Sequence, residues 1–502
     1  MEKNAAKMAR TDKWKVPEPG IDDRLTSLPD EIISHILSFL PTKYAVGTAV
    51  LSRRWKDLWT RVSNLDFENR LVYRDLISSR VVNYIRLTEM EDRRDVEFLR
   101  FVDRVFSQHR NLDSVRCFRF HVSVSRVMQD YLNKRGLAFG SQVEEIDVML
   151  LEAIASELCL QLPESFYTLK NLKIAKLHEV KATVNGSVSL PSLKILELWD
   201  VVAEDRESLS RLITGCPILE TLRLEHCILL DMNENDVLIA SIPSLRNLTI
   251  IAFLADDDDK CLCRIAMEAP KLEHLYLEDF TELEFLCSSS PLPCLDSARV
   301  DTGRRASSYQ SLVRLLAQIS SAKEMCLYWN TLEFLSAGDN IQLAVFPNLT
   351  YLTLEPTERS SSWILHSLLH SVPRLQSLVI KPRMAEGSML WEETEPTCTP
   401  QCVQSSLEEI EVKDFVPLKT DAETVAHLLI VGAVLKKVDI HVVKADTKQE
   451  RKELQVLLRL PRVSSTCNVR IFLCDSEIDI DIDDGGEINA DIQDEVDMDD
   501  EV

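Results

Sequence analysis

The chain has 502 residues, 45% of them hydrophobic, and a formal net charge of −24. That length exceeds one ordinary core and that apolar share excludes a disordered chain, so several domains or a repeat array are expected. No run of about 18 apolar residues offers a membrane span, and the N-terminus lacks the apolar stretch of a secretory signal.

The charge is unevenly placed. From Asp475 to Val502 there are fourteen acidic residues and no basic one, so this tail carries −14 and the rest of the chain only −10. Either balance makes nucleic acid a poor partner. The thirteen cysteines are scattered and read as reduced thiols of the cytosol or nucleus, mostly small core hydrophobes. The nearest pairs, Cys261/Cys263 and Cys398/Cys402, have no second pair at zinc-ligand spacing.

Residues 1–20 are polar with two prolines and read as disordered. A segment over 21–67 comes next, rich in apolar residues. Ser27 is the expected N-cap of a helix, with Asp30 three residues on and Pro29 in the first turn. Ile32, Ile33, Ile36, Leu37 and Leu40 form a wide apolar face closed by Pro41. A second helix is expected to carry Val50, Leu51, Trp55, Leu58 and Trp59. So short a segment cannot bury all of these within itself. It reads either as a dock for another protein or as a helical hairpin packed on the C-terminal bulk of the chain. Residues 68–110 read as a helical linker packing on the adjoining domain, with Phe98, Phe101, Val102, Val105 and Phe106 at helical spacing.

Beyond it the chain repeats. The triplet L-x-x-L-x-L, with Ile, Val or Phe allowed, occurs at Val143/Ile146/Val148, Leu169/Leu172/Ile174, Leu193/Leu196/Leu198 and Leu219/Leu222/Leu224. It continues at Leu245/Leu248/Ile250, Leu272/Leu275/Leu277, Leu349/Leu352/Leu354 and Leu375/Leu378/Ile380. Weaker copies begin at Val115, Leu295, Leu407 and Leu435, and a degenerate one lies near Met325-Cys-Leu327. The clear copies from Val143 to Leu272 are 24–27 residues apart, within the range of leucine-rich repeats. Pro191, Pro217, Pro243, Pro270, Pro347 and Pro373 each stand two residues before a triplet. There proline closes the preceding element and launches a strand.

Short helices are expected between strands, at Leu209–Ile213, Leu262–Ala266 and Trp363–Leu369. Each unit has one apolar edge, so stacking completes the core, with about 1.5–3 kcal/mol per buried Leu-type side chain. The solenoid, over 111–400, is expected to close its own core without the N-terminal segment. Solvent-facing triplet positions such as Arg223, His274, Tyr276 and Tyr351 are candidate contact residues. An insertion at Met384–Gln404 interrupts the period.

Several tempting sites carry no chemistry. His366 and His370 are four apart, but no Glu follows His366, so the zinc-protease pattern is absent. Asp479-x-Asp481-x-Asp483-Asp-Gly-Gly fails as a calcium loop, because counting from Asp479 puts Asp484 where the turn Gly must be and counting from Asp481 puts Ile492 where the bidentate Glu must be. Asp256–Asp259 reads as an exposed loop. No phosphate-cradling loop or nucleophile elbow occurs. The reading is therefore non-catalytic, with no cofactor and no metal.

The N-terminal segment resembles an F-box of the plant type: Leu28-Pro-Asp-Glu-Ile-Ile33, Ile36-Leu-Ser-Phe-Leu-Pro-Thr-Lys43, then Val50-Leu-Ser-Arg-Arg-Trp-Lys56, Leu58-Trp59 and Leu65-Asp-Phe67. Gly47 is a mild departure, costing at most about 1 kcal/mol of helix propensity. The resemblance implies binding to the Skp-type adaptor of a cullin-containing ubiquitin ligase. The positions matching the family's contact pattern are Leu28, Pro29, Ile32, Ile36, Leu37, Leu40, Pro41, Val50, Leu51, Trp55 and Trp59, some of which must instead fill the F-box core.

Cys402–Val412, Ala433–Ile440 and Leu460–Cys467 are similar to the FBD module that follows the repeats in many plant F-box proteins. It is expected over 401–475 as a cap on the solenoid, with an acidic disordered tail over 476–502. The implied architecture is α/β: a short all-α F-box, a curved leucine-rich-repeat solenoid and an FBD cap. The implied function is substrate receptor of an SCF-type ubiquitin ligase, cytoplasmic or nuclear, holding an unidentified protein target, with no membrane or nucleic-acid partner. A ligase-independent scaffold is the alternative. A small-molecule receptor would need a basic pocket, and no Arg/Lys cluster supplies one.

Overall fold

The structure, a computed structural model, describes residues 28–69 and, between 84 and 473, all but a set of short intervals, of which 382–398 is the longest. Within those residues the thirteen triplets become strands of one fifteen-stranded parallel sheet, laid side by side in chain order, with Asn64–Glu68 added before them and Asn468–Leu473 after them. Parallel neighbours in sequence order require a crossover after every strand. A repeat of 24–27 residues is long enough for one.

The register is uniform through the middle of the sheet. Leu196 lies opposite Leu222, and Leu222 opposite Leu248. Alternate residues of each strand therefore point inward together: Leu196, Leu198, Leu222, Leu224 and Ile250 are fully buried. The degenerate copy forms the strand Glu324–Leu327 in the same sheet. Before each strand, one carbonyl accepts from the amide of the next repeat, as in Lys194 N–H to Lys173 O (2.9 Å) and Glu220 N–H to Lys194 O (2.8 Å).

The far side of each coil varies. Five short strands from Leu160–Gln161 to Leu254–Ala255 form a second parallel sheet, and Val237–Ser241, Arg264–Glu268 and Glu282–Phe285 form a third. The helices Arg206–Thr214 and Ser362–Ser371 lie where short helices are expected. The helix expected at Leu262–Ala266 is instead the strand Arg264–Glu268, flanked by paired strands on both sides. Main-chain bonds to two neighbours outweigh a five-residue helix, whose nucleation is costly.

After five of these strands the chain turns through a left-handed residue: Glu179, Asp200, His226, Ala252 and Asp279, with φ between 44° and 56°. The amides there bond to the next coil, as Asp200 N–H to Glu225 O at 2.9 Å. Gly303, φ +66°, takes the equivalent corner after Ser297–Asp301.

The sheet begins earlier than the repeats. Its first strand, Asn64–Glu68, is the end of the F-box-like segment and pairs with Cys117–Ser123. Leu65 and Phe67 join the same continuous core as the repeat leucines. The expectation that the solenoid closes without this segment is thus overturned: an end strand leaves one flank of the core open, and the segment covers it. At the other end the strands Glu409–Phe415, Lys437–Val442 and Asn468–Leu473 continue the same sheet, so the FBD-like residues add further coils.

Candidate docking surfaces

The N-terminal segment is built from helix α1 (Asp30–Leu37), helix α2 (Thr42–Gly47) and two 3₁₀ turns, Thr48–Val50 and Trp55–Arg61. Two expectations change here. Helix α1 starts one residue after Pro29, which occupies the N-cap position itself, and Ser27 lies outside the described residues. Proline at a cap leaves the orphan amides without a side-chain acceptor, and no side-chain cap bond is formed. The single second helix is replaced by α2 and the two turns. Ser52 competes with the helix for the Trp55 amide, its Oγ accepting at 3.4 Å.

Hydrogen bonds tie the pieces together. Arg54 donates to Asp30 Oδ1 from Nε (3.0 Å) and Nη2 (2.8 Å), and to the Leu28 carbonyl. Thr42 Oγ1 accepts from the Asp66 amide at 2.7 Å, and Asn64 Nδ2 donates to the Ser38 carbonyl at 3.1 Å. The segment is therefore pinned to its own strand. From behind, helix α3 (Tyr84–Gln108) buries Val102 and Val105. Just past it, His109 Nε2 lies 3.0 Å from the Val62 carbonyl.

This frame sorts the eleven positions matched to the contact pattern. Leu37, Trp55 and Trp59 are buried in the core, with Trp59 only 5% exposed. The Trp55/Trp59 turn faces inward, because α1 packs on it together with Ile33 and Leu58. In this fold those three support the surface from beneath. Leu28 and Pro41 are half-buried and Pro29 is exposed.

Ile32, Ile36, Leu40, Val50 and Leu51 are exposed, Val50 at 87% and Leu51 at 65%. Two further apolar residues, Phe39 and Tyr44, are exposed beside them, Phe39 at 73%. Phe39 was legible: two residues past the end of α1, it stands three and seven residues after Ile36 and Ile32 and so continues the spacing of the helix's outward stripe. An added Cβ at Gly47 would meet open space, so that departure has no steric cause.

So many large apolar side chains in water on one short segment are the mark of a surface that docks on protein. No catalytic constellation accompanies it among the described residues. Nor, among them, is any group of three or more His, Cys, Asp or Glu placed to hold a metal ion. His366 Nε2 lies 3.3 Å from His370 Nε2. Burial pushes the Cys216 and Cys227 thiols up to about 12 and Cys402 to about 11, so they stay protonated inside the core. Cys261, Cys263, Cys398, Asp256–Asp259 and the acidic tail lie outside the described residues. No described helix is long and apolar enough to cross a membrane.

The outward face of the long sheet is the second surface. Along its middle row the register aligns Asp66, Arg119, Asp147, Lys176, Glu197 and Arg223, a run of alternating charge. Arg119 sits 3.7 Å from Asp66 and 3.6 Å from Asp147, and Lys176 Nζ lies 3.5 Å from Glu197. Arg223 is engaged by Glu225 at 2.6 Å and lies over the Trp199 ring. Of the four candidate contact residues, His274 and Tyr351 are exposed and Tyr276 is half-buried. Arg223 is spent within the chain.

Three family models match the chain in order: "F-box domain" over residues 25–67, "FBD-associated F-box protein At5g56370, LRR repeats" over 137–290 and "FBD" over 395–440. Similar proteins span nearly its whole length. The F-box/FBD/LRR-repeat protein At1g51370 of Arabidopsis thaliana is 28% identical, over 90% of this chain and 96% of its own. The FBD-associated F-box protein At5g22730 of Arabidopsis thaliana is 29% identical, over 90% and 94% respectively. F-box/LRR-repeat protein 13 of Arabidopsis thaliana is 29% identical, over 89% and 96%. The chain thus carries an F-box, a parallel repeat sheet and an FBD segment in that order, and along nearly its whole length it is similar to plant F-box/FBD/leucine-rich-repeat proteins.

Proposed function

We propose that this chain is the substrate-recognition subunit of an SCF-type ubiquitin ligase. The carrying observation is the exposed apolar set Ile32, Ile36, Phe39, Leu40, Tyr44, Val50 and Leu51 on the F-box, the chemistry a Skp-type adaptor needs. Through the adaptor the chain joins a cullin, and the repeats hold a protein target. The action is by proximity: the receptor raises the effective concentration of target lysines near the charged conjugating enzyme, and other subunits do the chemistry. The shared strand Asn64–Glu68 suits this role, since it joins dock and repeat array through sheet bonds. Reduced core thiols support a place of action in the cytosol or nucleus.

Coprecipitation with a Skp-type adaptor tests the reading. Val50→Ala with Leu51→Ala should weaken capture at least tenfold with thermal unfolding unchanged. A folded parent chain that captures no adaptor would refute it.

A further inference from the structure

The helix Ser362–Ser371 buries Ile364, Leu368 and Leu369 in the core. His366 and His370 stand four residues apart on it and are therefore neighbours on one face, His366 half-buried and His370 exposed. The sequence lacks the Glu of a protease motif, yet the two rings meet. Their Nε2 atoms are 3.3 Å apart, with ring centroids at 4.4 Å and planes at 63°. His370 lies in the last turn of the helix, where the aligned peptide dipoles favour positive charge.

That separation has a chemical meaning. A hydrogen bond from an N–H donor is ordinarily about 2.7–3.2 Å long, so 3.3 Å is loose for a proton shared between the rings. A tetrahedral zinc ion, with Zn–N bonds of about 2.0–2.1 Å, holds two nitrogens about 3.3–3.4 Å apart. Adjacent positions of a square-planar ion such as copper(II), at right angles, would bring them to about 2.8–3.0 Å. The pair has the bite of a tetrahedral ion. A third imidazole, the half-buried His427, stands on the next helix but one, Lys419–Val431. Burial first, and the charge of His366 second, hold its pKa below the ordinary histidine value, so three imidazoles share one neighbourhood where the repeats pass into the FBD-like coils.

We propose that His366 and His370 bind a zinc ion through their Nε2 atoms, at the junction of the repeats and the FBD-like coils. Among the described residues no group of three His, Cys, Asp or Glu is placed to hold a metal, so water completes the tetrahedron. Open positions of this kind distinguish the site from closed four-ligand zinc sites, which serve structure alone. The site departs from the metal-free expectation drawn from the sequence, because spacing gives the histidines a shared face whereas their side-chain rotamers set the bite.

The test uses the full chain with zinc, read by competition with a chromogenic chelator, and with cobalt(II) as a visible probe. His366→Ala and His370→Ala should each weaken zinc binding at least about tenfold, the lower end of what even outer-sphere partners of a metal contribute. His274→Ala, which removes an exposed histidine of the sheet face, should leave it within about twofold. Cobalt(II) should show the d–d bands of a tetrahedral ion without the near-ultraviolet band of a thiolate ligand, and the double variant His366→Ala/His370→Ala should lose them. His370 is exposed, so His370→Ala should unfold like the parent in the absence of metal and keeps the test decisive if His366→Ala fails to fold. Equal zinc affinity in the parent and His370→Ala, or a cobalt spectrum that survives the double substitution, would overturn the assignment.

Discussion

Phe67, the last apolar residue of the F-box, stacks on Phe106 of helix α3, with ring centroids 5.8 Å apart and planes 29° from parallel. The same ring lies edge-on to Phe101 and Phe120, so F-box, linker helix and first repeat meet on one side chain. Phe67→Ala should cost about 3–5 kcal/mol. In hydrogen exchange, amides of both Asn64–Glu68 and Cys117–Ser123 should lose protection. Unchanged protection of the second strand would show that the F-box and repeats are energetically separate.

Leu37 and Ile36 are neighbours with opposite duties. Leu37→Ala should destabilise by about 2–5 kcal/mol, because its side chain is 1% exposed. Ile36→Ala should change stability by no more than about 0.5 kcal/mol yet weaken adaptor capture. Thermal unfolding and coprecipitation on both variants check this, and a reversed pattern would mean that the helix is rotated.

His178 links coils in a pH-dependent way. Its Nε2 lies 2.8 Å from Asp200 Oδ2 and its Nδ1 2.7 Å from the Leu150 carbonyl. Burial acts against the charged ring, but the bonds to Asp200 and Leu150 and the carboxylates of Asp200 and Glu179 prevail, holding the pKa above its ordinary value. A raised histidine pKa contributes stability that is complete below about pH 6.5 and is lost as pH rises through the folded value. His178→Gln should therefore be less stable than the parent at pH 5.5, with a smaller gap at pH 8.5. Denaturant midpoints at the two pH values decide it, and a constant gap would show that the ring's titration plays no part.

The left-handed corners tolerate change unequally. A Cβ at Gly303 would overlap the carboxylate and Cα of Asp279, and the backbone there is already at φ +66°. Gly303→Ala should cost about 2–4 kcal/mol. His226 has φ 50° but is exposed, so His226→Gly should stay within about 0.5 kcal/mol of the parent, strain relief offsetting added freedom in the unfolded chain. Equal costs at the two corners, measured by urea unfolding, would contradict this difference.

The repeat, the fold class and the resemblance to F-box/FBD/leucine-rich-repeat proteins are all written in the order of residues. A period near 26 places leucines at fixed offsets, and a parallel sheet is the arrangement that buries all of them at once. Local patterns also mark Ile32 and Ile36 as one face of a helix. Which apolar residues of the F-box face water is a matter of packing, because Leu37 and Ile36 are chemically alike and differ only in what lies over them. Packing also makes Arg264–Ala266, expected within a helix, part of a strand, through partners that lie 27 residues before them and 18 after them in the chain. Finally, it sets the outward residues of distant repeats into rows, placing Arg119 between Asp66 and Asp147 and Arg470 against Asp439. Pairing of that kind depends on register between strands, which no single repeat contains.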